Sequence, residues 1–96
     1  MLKSEAILLQ RFLKNKDSQA FSQIVKRYEG LVYSASLRVL NNQAKAADAT
    51  QDTFLQLLRH ANKITGSLAG WLHRVATRKA VDIARKDSRT SKSQTE

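Results

Sequence analysis

The sequence predicts an all-α fold, a compact bundle of about four helices. Two observations carry that expectation. The chain has no proline and only three glycines in 96 residues, and folds that reverse direction often, as sheets do, use more of both. Its apolar residues recur at intervals of three and four, the period of helices with one buried face. The breaks agree, because they hold Asp, Ser and Asn, whose side-chain oxygens accept from the free N–H groups of a helix start.

The first helix is expected over about 3–14, with Leu8, Leu9, Phe12 and Leu13 as its apolar stripe. The second is expected over 18–40, where Phe21, Ile24, Val25, Tyr28, Leu31, Val32, Ala35 and Val39 repeat, and Asp17 or Ser18 can cap it. Gly30 stands inside this helix at a cost of about 1 kcal/mol relative to alanine, and nothing in the sequence explains it. Asn41-Asn42 ends the second helix and can cap the third, expected over 43–62 on Ala47, Phe54, Leu57, Leu58 and Ala61. Thr65-Gly66-Ser67 breaks the chain again, which makes 61–68 the most irregular connection. Ser67 can cap a fourth helix over 68–86, built on Leu72, Val75, Ala76, Ala80 and Ile83. The closing stretch DSRTSKSQTE has no apolar residue. The domain is therefore expected at 1–88, with 89–96 a disordered tail or linker. A chain this size buries roughly 60–65% of its unfolded surface, enough for one core.

Lys and Arg number 17 against 8 Asp and Glu, a net charge of +9. Such an excess points to an anionic partner, nucleic acid or an anionic membrane surface. The membrane alternative is weaker, because the apolar faces are needed for the core. There is no cysteine, which excludes a disulfide scaffold and a thiolate zinc site. No apolar run approaches the ~20 residues of a membrane span, and the opening MLKSEAILLQRF shows no signal-peptide cleavage pattern. The protein is expected to be cytoplasmic, without a membrane partner.

The charge is uneven. Residues 71–96 hold seven basic residues against three acidic, a net of +4, whereas 44–58 hold Lys45 against Asp48 and Asp52, a net of −1. On the fourth helix Arg74, Arg78, Arg85 and Arg89 recur at four, seven and four, close to one face, with Trp71 and Thr77 beside them. Such a stripe can track phosphates while Thr and Arg reach base edges; it can also be a solvated cationic face. On the third helix Asp48, Gln51 and Asp52 share a side at i, i+3 and i+4. Asp48 there complements the helix dipole, and spacing alone favours that role over a docking surface. His60 and His73 are the only histidines, and no HExxH, phosphate loop, dinucleotide fingerprint or nucleophile elbow is present. No catalytic, metal-ligating or cofactor-binding residue is expected, and the protein is not expected to be an enzyme.

Four segments carry a resemblance. Asp17-Ser18-Gln19-Ala20-Phe21 is followed by Val25-Lys26-Arg27-Tyr28 and Leu31-Val32-Tyr33. Then come Ala47-Asp48-Ala49-Thr50-Gln51-Asp52-Thr53-Phe54-Leu55, Trp71-Leu72-His73-Arg74-Val75-Ala76-Thr77, and Ala80-Val81-Asp82-Ile83-Ala84-Arg85-Lys86. In this order the chain resembles region 2 of the bacterial sigma-70 family, in particular its extracytoplasmic-function type, over about residues 8–89. The resemblance implies that Asp48, Gln51, Asp52 and Leu55 dock on the clamp helices of the β′ subunit of core RNA polymerase, which reverses the preference from spacing. It implies that the loop before the Trp-Leu segment helps melt the promoter minus-ten element and holds a flipped base of the non-template strand. Asn62, Lys63, Thr65 and Ser67 are the loop residues available for that base. It nominates Trp71, Arg74, Thr77 and Arg78 for the melting edge, bases or phosphates, with packing the other role open to Trp71. Lys79, Arg85, Lys86 and Arg89 are nominated for the DNA backbone. An anti-sigma factor is a further expected partner.

Three departures from the family pattern qualify the transfer. Arg78 stands where many extracytoplasmic-function members carry Asn, so promoter preference does not carry over. Ala69-Gly70 precede Trp71 where housekeeping members carry a second tryptophan, so base capture by the loop is expected over an aromatic wedge. No region 4, the module that reads the minus-thirty-five element, lies within these residues. The tail 89–96 is expected to lead toward one, and a lone domain to bind weakly. The alternatives are a non-specific nucleic-acid-binding helical domain and a polymerase-binding regulatory module without promoter specificity.

Overall fold

A computed structural model describes residues 9–12, 14 and 17–95, with the backbone alone from 89 onward. Among the described residues the protein is all-α, with no strand. Residues 9–12 are helical (α1); the rest of the expected first helix, at 3–8 and 13, lies outside the described residues. α2 runs Ser18–Leu40, α3 Gln43–His60, a 3-10 turn Ala61–Lys63, and α4 Leu68–Thr95.

The boundaries follow local chemistry. Asp17 rather than Ser18 caps α2, its carboxylate accepting from the N–H groups of Gln19 and Ala20 at 3.0 and 3.2 Å. Asn41 ends α2 in the left-handed region, φ 49°, and its N–H donates to the Leu37 carbonyl at 2.7 Å. Asn42 caps α3 by accepting from the Lys45 N–H at 2.9 Å. The last two residues of the expected third helix tighten into the 3-10 turn. Gly66 takes a φ of 78°, a conformation that a β-carbon disfavours. Ser67 then starts α4, its hydroxyl oxygen accepting from the Gly70 N–H at 3.1 Å. The backbone stays helical to Thr95, past the end expected at residue 86. Loss of apolar residues set that expectation, but DSRTSKSQT holds no glycine or proline to stop a helix. A Lys45–Asp87 ion pair also ties the start of α3 to this part of α4.

The core lies where α2, α3 and α4 pack on one another. Ile24, Tyr28 and Val32 of α2 meet Phe54 and Leu57 of α3 and Leu68, Leu72 and Ala76 of α4. Ala20, Ala46, Ala49, Ala76 and Ala80 are fully buried, and such small side chains let helix axes come close. Leu9 and Phe12 of α1 pack against this core, the Phe12 and Phe21 rings lying 5.2 Å apart. Buried Ser36 and Thr53 satisfy their hydroxyls on the carbonyls of Val32 and Ala49 one turn back. Not every residue of the expected stripes is inside: Leu31, Val39, Ala47 and Leu58 are exposed. They lie on the edges of stripes wider than the helix contacts.

Two predictions arise here. Tyr28 is 7% exposed, yet its hydroxyl has no hydrogen-bond partner among the described residues. A buried polar group left unpaired costs about 1–3 kcal/mol, so Tyr28→Phe should hold or raise thermal stability in a melting experiment. Asp17 also accepts from Arg11 at 2.7 Å. The Ala20 N–H first, then the Arg11 guanidinium, hold its carboxyl below the ordinary carboxylate range. A lowered folded-state pKa means that its stabilisation is complete above the unfolded value, near pH 4, and is lost as pH falls through the folded value. Asp17→Asn keeps a capping oxygen but loses the charge. Melting curves of variant and wild type should differ near neutral pH and converge as pH falls through the lowered folded-state value of the Asp17 carboxyl.

Candidate nucleic-acid interface and docking face

α3 carries one exposed polar face. Asp48, Gln51, Asp52 and Leu55 are all exposed, and at helical spacing they fall within an arc of about 100°. Leu55 is 43% exposed, a large apolar side chain left in solvent beside two carboxylates. Buried Ala49, Thr53 and Leu57 hold the opposite side of α3 against the core, so the face is fixed by packing. Gln51 and Leu55 also form one wall of an apolar groove of about 610 Å³ between α3 and α2.

The basic face lies across the chain, where the end of α3, the 3-10 turn and α4 meet. Leu68, Leu72, Ala76 and Ala80 bury one side of α4. That orientation leaves Trp71, Val75, Arg78, Lys79 and Asp82 facing Gln56, His60 and Lys63 across a groove of about 370 Å³. Trp71 is half-buried and packs against the core, so it forms a wall and is not a free wedge. Asp82, one turn from Arg78, stands among the cations. A second shallow concavity lies farther along α4 at Asp82, Arg85, Lys86 and Ser88.

Of the residues expected to meet DNA, the structure brings Lys63, Trp71, Arg78 and Lys79 into one groove. Arg74 is exposed on α4. Its Nη1 lies 3.5 Å from the point a β-carbon on Gly70 would occupy, so it lies back over the first turn of α4. Asn62, Thr65 and Ser67 are exposed along the connection. Ser67 has a structural task as well, its oxygen capping α4, which leaves its proton to donate. Thr77 is half-buried and does not line the groove, because it is rotated by about 100° from Arg78. Arg85 and Lys86 are exposed on the later turns, and the Arg89 side chain lies outside the described residues. Sequence reasoning missed Gln56, His60 and Asp82 as lining residues. The run 71, 75, 78, 82 is a helical stripe and could have supplied Asp82; the α3 residues needed the crossing of the helices.

The profile of sigma-70 region 2 matches residues 24–90. The chain belongs to the sigma-70 region 2 family. Among its relatives is the ECF RNA polymerase sigma factor SigE of Mycolicibacterium smegmatis, 34% identical over 73% of this chain and 28% of the relative. SigK of Mycolicibacterium vanbaalenii is 31% identical over 95% of this chain and 48% of its own length. SigW of Bacillus subtilis is 32% identical over 77% and 41%. The chain thus spans between about a quarter and a half of these relatives. No solved structure matches it significantly. In sigma-family terms, the matched segment contains most of α2, all of α3 and the groove-forming part of α4. Among the described residues no helix is long and apolar enough to cross a membrane, and no group of acidic or histidine side chains is placed to hold a metal.

Proposed function

We propose that this domain, at 1–88 with 89–96 leading out of it, acts in transcription initiation as a cytoplasmic, non-enzymatic sigma region 2. It binds core RNA polymerase through Asp48, Gln51, Asp52 and Leu55, against the β′ clamp helices. It engages the promoter minus-ten element through the 61–67 connection and the basic face of α4. The observation that carries this reading is the separation of the two faces. An exposed carboxylate pair on α3 and a cationic groove at the α3–α4 junction look outward from one packed unit.

The physics requires no bond chemistry. Lys79, Arg85 and Lys86 hold phosphates along α4, and such charge contacts set affinity and its salt dependence. Arg74 and Arg78 reach the strand nearer the loop. Asn62, Lys63, Thr65 and Ser67 offer donors and acceptors to a base turned out of the stack, and Trp71 gives the groove an aromatic wall. Holding that base offsets an unstacking cost of a few kcal/mol. Binding the open promoter better than the closed one shifts the equilibrium toward open by that difference.

The test is capture of core RNA polymerase by the immobilised domain, beside fluorescence-anisotropy titrations of minus-ten single strand and unrelated strands. Capture with preference for the minus-ten strand supports the reading. Equal affinity and equal salt slope for every sequence, without capture, would replace it with a non-specific nucleic-acid binder. Capture without any DNA preference would leave a regulatory polymerase-binding module.

A further inference from the structure

We propose that Asp82 is a specificity-determining residue of the α3–α4 groove: its carboxylate keeps backbone phosphate out of the groove and accepts from the amino group of a base. This rests on the promoter-binding reading above. The residues three and four away from Asp82 on either side are Arg78, Lys79, Arg85 and Lys86, all cations, and side chains at those spacings are neighbours on a helix. Asp82 also lines both the α3–α4 groove and the shallower concavity farther along α4, and no other residue is shared by the two. A strand that tracks the cations from Lys63, Arg78 and Lys79 to Arg85 and Lys86 must therefore pass a negative charge midway. That charge is exposed. The ion pairs seen among the described residues, Arg11–Asp17 and Lys45–Asp87, do not include it. Asp87, the next acid along α4, is by contrast held by Lys45 and has a task within the fold.

Phosphate and base offer a carboxylate different things. A backbone phosphate is anionic and has no proton to donate, so a carboxylate beside it subtracts from the attraction of the neighbouring cations. The exocyclic amines of cytosine and adenine are donors, and a carboxylate accepts from them. The rest of the groove suits a base as well. Trp71 supplies an aromatic wall, Val75 an apolar one, and the Gln56 amide can both donate and accept. Phosphates are thereby left to the cations on either side of Asp82. The carboxylate fixes the register of the strand, with a base in the groove and the backbone outside it.

Salt titrations of minus-ten and unrelated single strands against wild type, Asp82→Asn and Glu29→Gln, with a melting curve for each, test this. Glu29 is exposed on α2 and does not line the α3–α4 groove, so Glu29→Gln makes the same change in net charge away from it. Asparagine and aspartate have similar helix propensities, and Asp82→Asn should melt as wild type does. It should bind unrelated strands about two- to fivefold more tightly, the worth of one exposed charge contact. Its slope of log affinity against log salt for those strands should steepen by about 0.7, the share of one added phosphate. Affinity for the minus-ten strand should stay at the wild-type value, because the amide oxygen still accepts from an amino group, so the preference shrinks by the same two- to fivefold. Glu29→Gln should bind every strand as wild type does. Equal tightening on all strands in Asp82→Asn, or the same tightening in Glu29→Gln, would overturn the role and leave a general charge effect, with the promoter reading in place. An unchanged preference and slope in Asp82→Asn would overturn it as well. A wild-type domain without preference for the minus-ten strand would remove the promoter reading and this role together.

Discussion

Replacing Gln51 by Ala and Asp52 by Lys together should abolish measurable capture of core RNA polymerase, a loss of about a hundredfold or more in affinity. The double change deletes a hydrogen-bonding amide and reverses a charge within one exposed patch. Placing like charges face to face costs several kcal/mol, and each 1.4 kcal/mol is a factor of ten. The fold should not notice. Both side chains are exposed, in the interior of α3, away from the caps at Asn42 and from buried Thr53 and Leu57. Alanine and lysine both favour helix. The measurement is a pull-down or surface-binding titration, with thermal melting and DNA binding as controls. A double variant that captures polymerase as wild type does would remove the docking face from α3.

Arg74→Ala with Arg78→Ala should weaken binding to minus-ten single strand by about ten- to a hundredfold at low salt, a loss of roughly 1.4–2.8 kcal/mol. Salt dependence identifies what the arginines touch. Each phosphate contact with single-stranded DNA contributes about 0.7 to the slope of log affinity against log salt. Loss of two such contacts lowers the slope by about 1.4 and weakens every sequence alike. If Arg78 reads a base edge, its replacement instead relaxes discrimination at one position and changes the slope less. Arg78 lines the groove with Lys63 and Trp71, which favours the base; Arg74, lying back over Gly70, favours the backbone. Unchanged affinity in the double variant would reduce both to surface charges.

Polymerase capture and DNA binding test different sides of one element pair, so the two variants also control for each other. The α3 change should leave DNA binding intact, and the α4 change should leave capture intact. That independence follows from burial. α3 presents Asp48, Gln51 and Asp52 on one flank and Gln56 and His60 on the flank toward α4, with Ala49, Thr53 and Leu57 fixed in the core between α3 and its neighbours.

Much of this was legible in the residues because it is local. A helix start is decided by which side chain can accept from free N–H groups, so Asp17, Asn42 and Ser67 mark three starts. A helix end is decided by which backbone tolerates the left-handed region, so Asn41 and Gly66 mark the breaks. The i, i+3, i+4 spacing of Asp48, Gln51 and Asp52 places them on one side of any helix that contains them. Periodicity alone, by contrast, cannot set the width of the buried strip. Leu58, Ala47 and Val39 fit the apolar period as well as Leu57 does, yet Leu57 is fully buried and they are exposed.

By itself, then, the sequence determined an all-α chain, its helix starts and breaks, its acidic and basic faces and its family pattern. The tertiary structure alone decided which apolar residues are enclosed and which remain as an open groove beside Gly30. It alone brought His60 and Gln56 of α3 opposite Trp71 and Arg78 of α4. The physical reason is that capping, helix period and charge sign act over a few residues. Enclosure depends on where helix axes cross and how closely small side chains such as Ala46, Ala49, Ala76 and Ala80 let them approach, and that crossing is settled only when all the faces pack together.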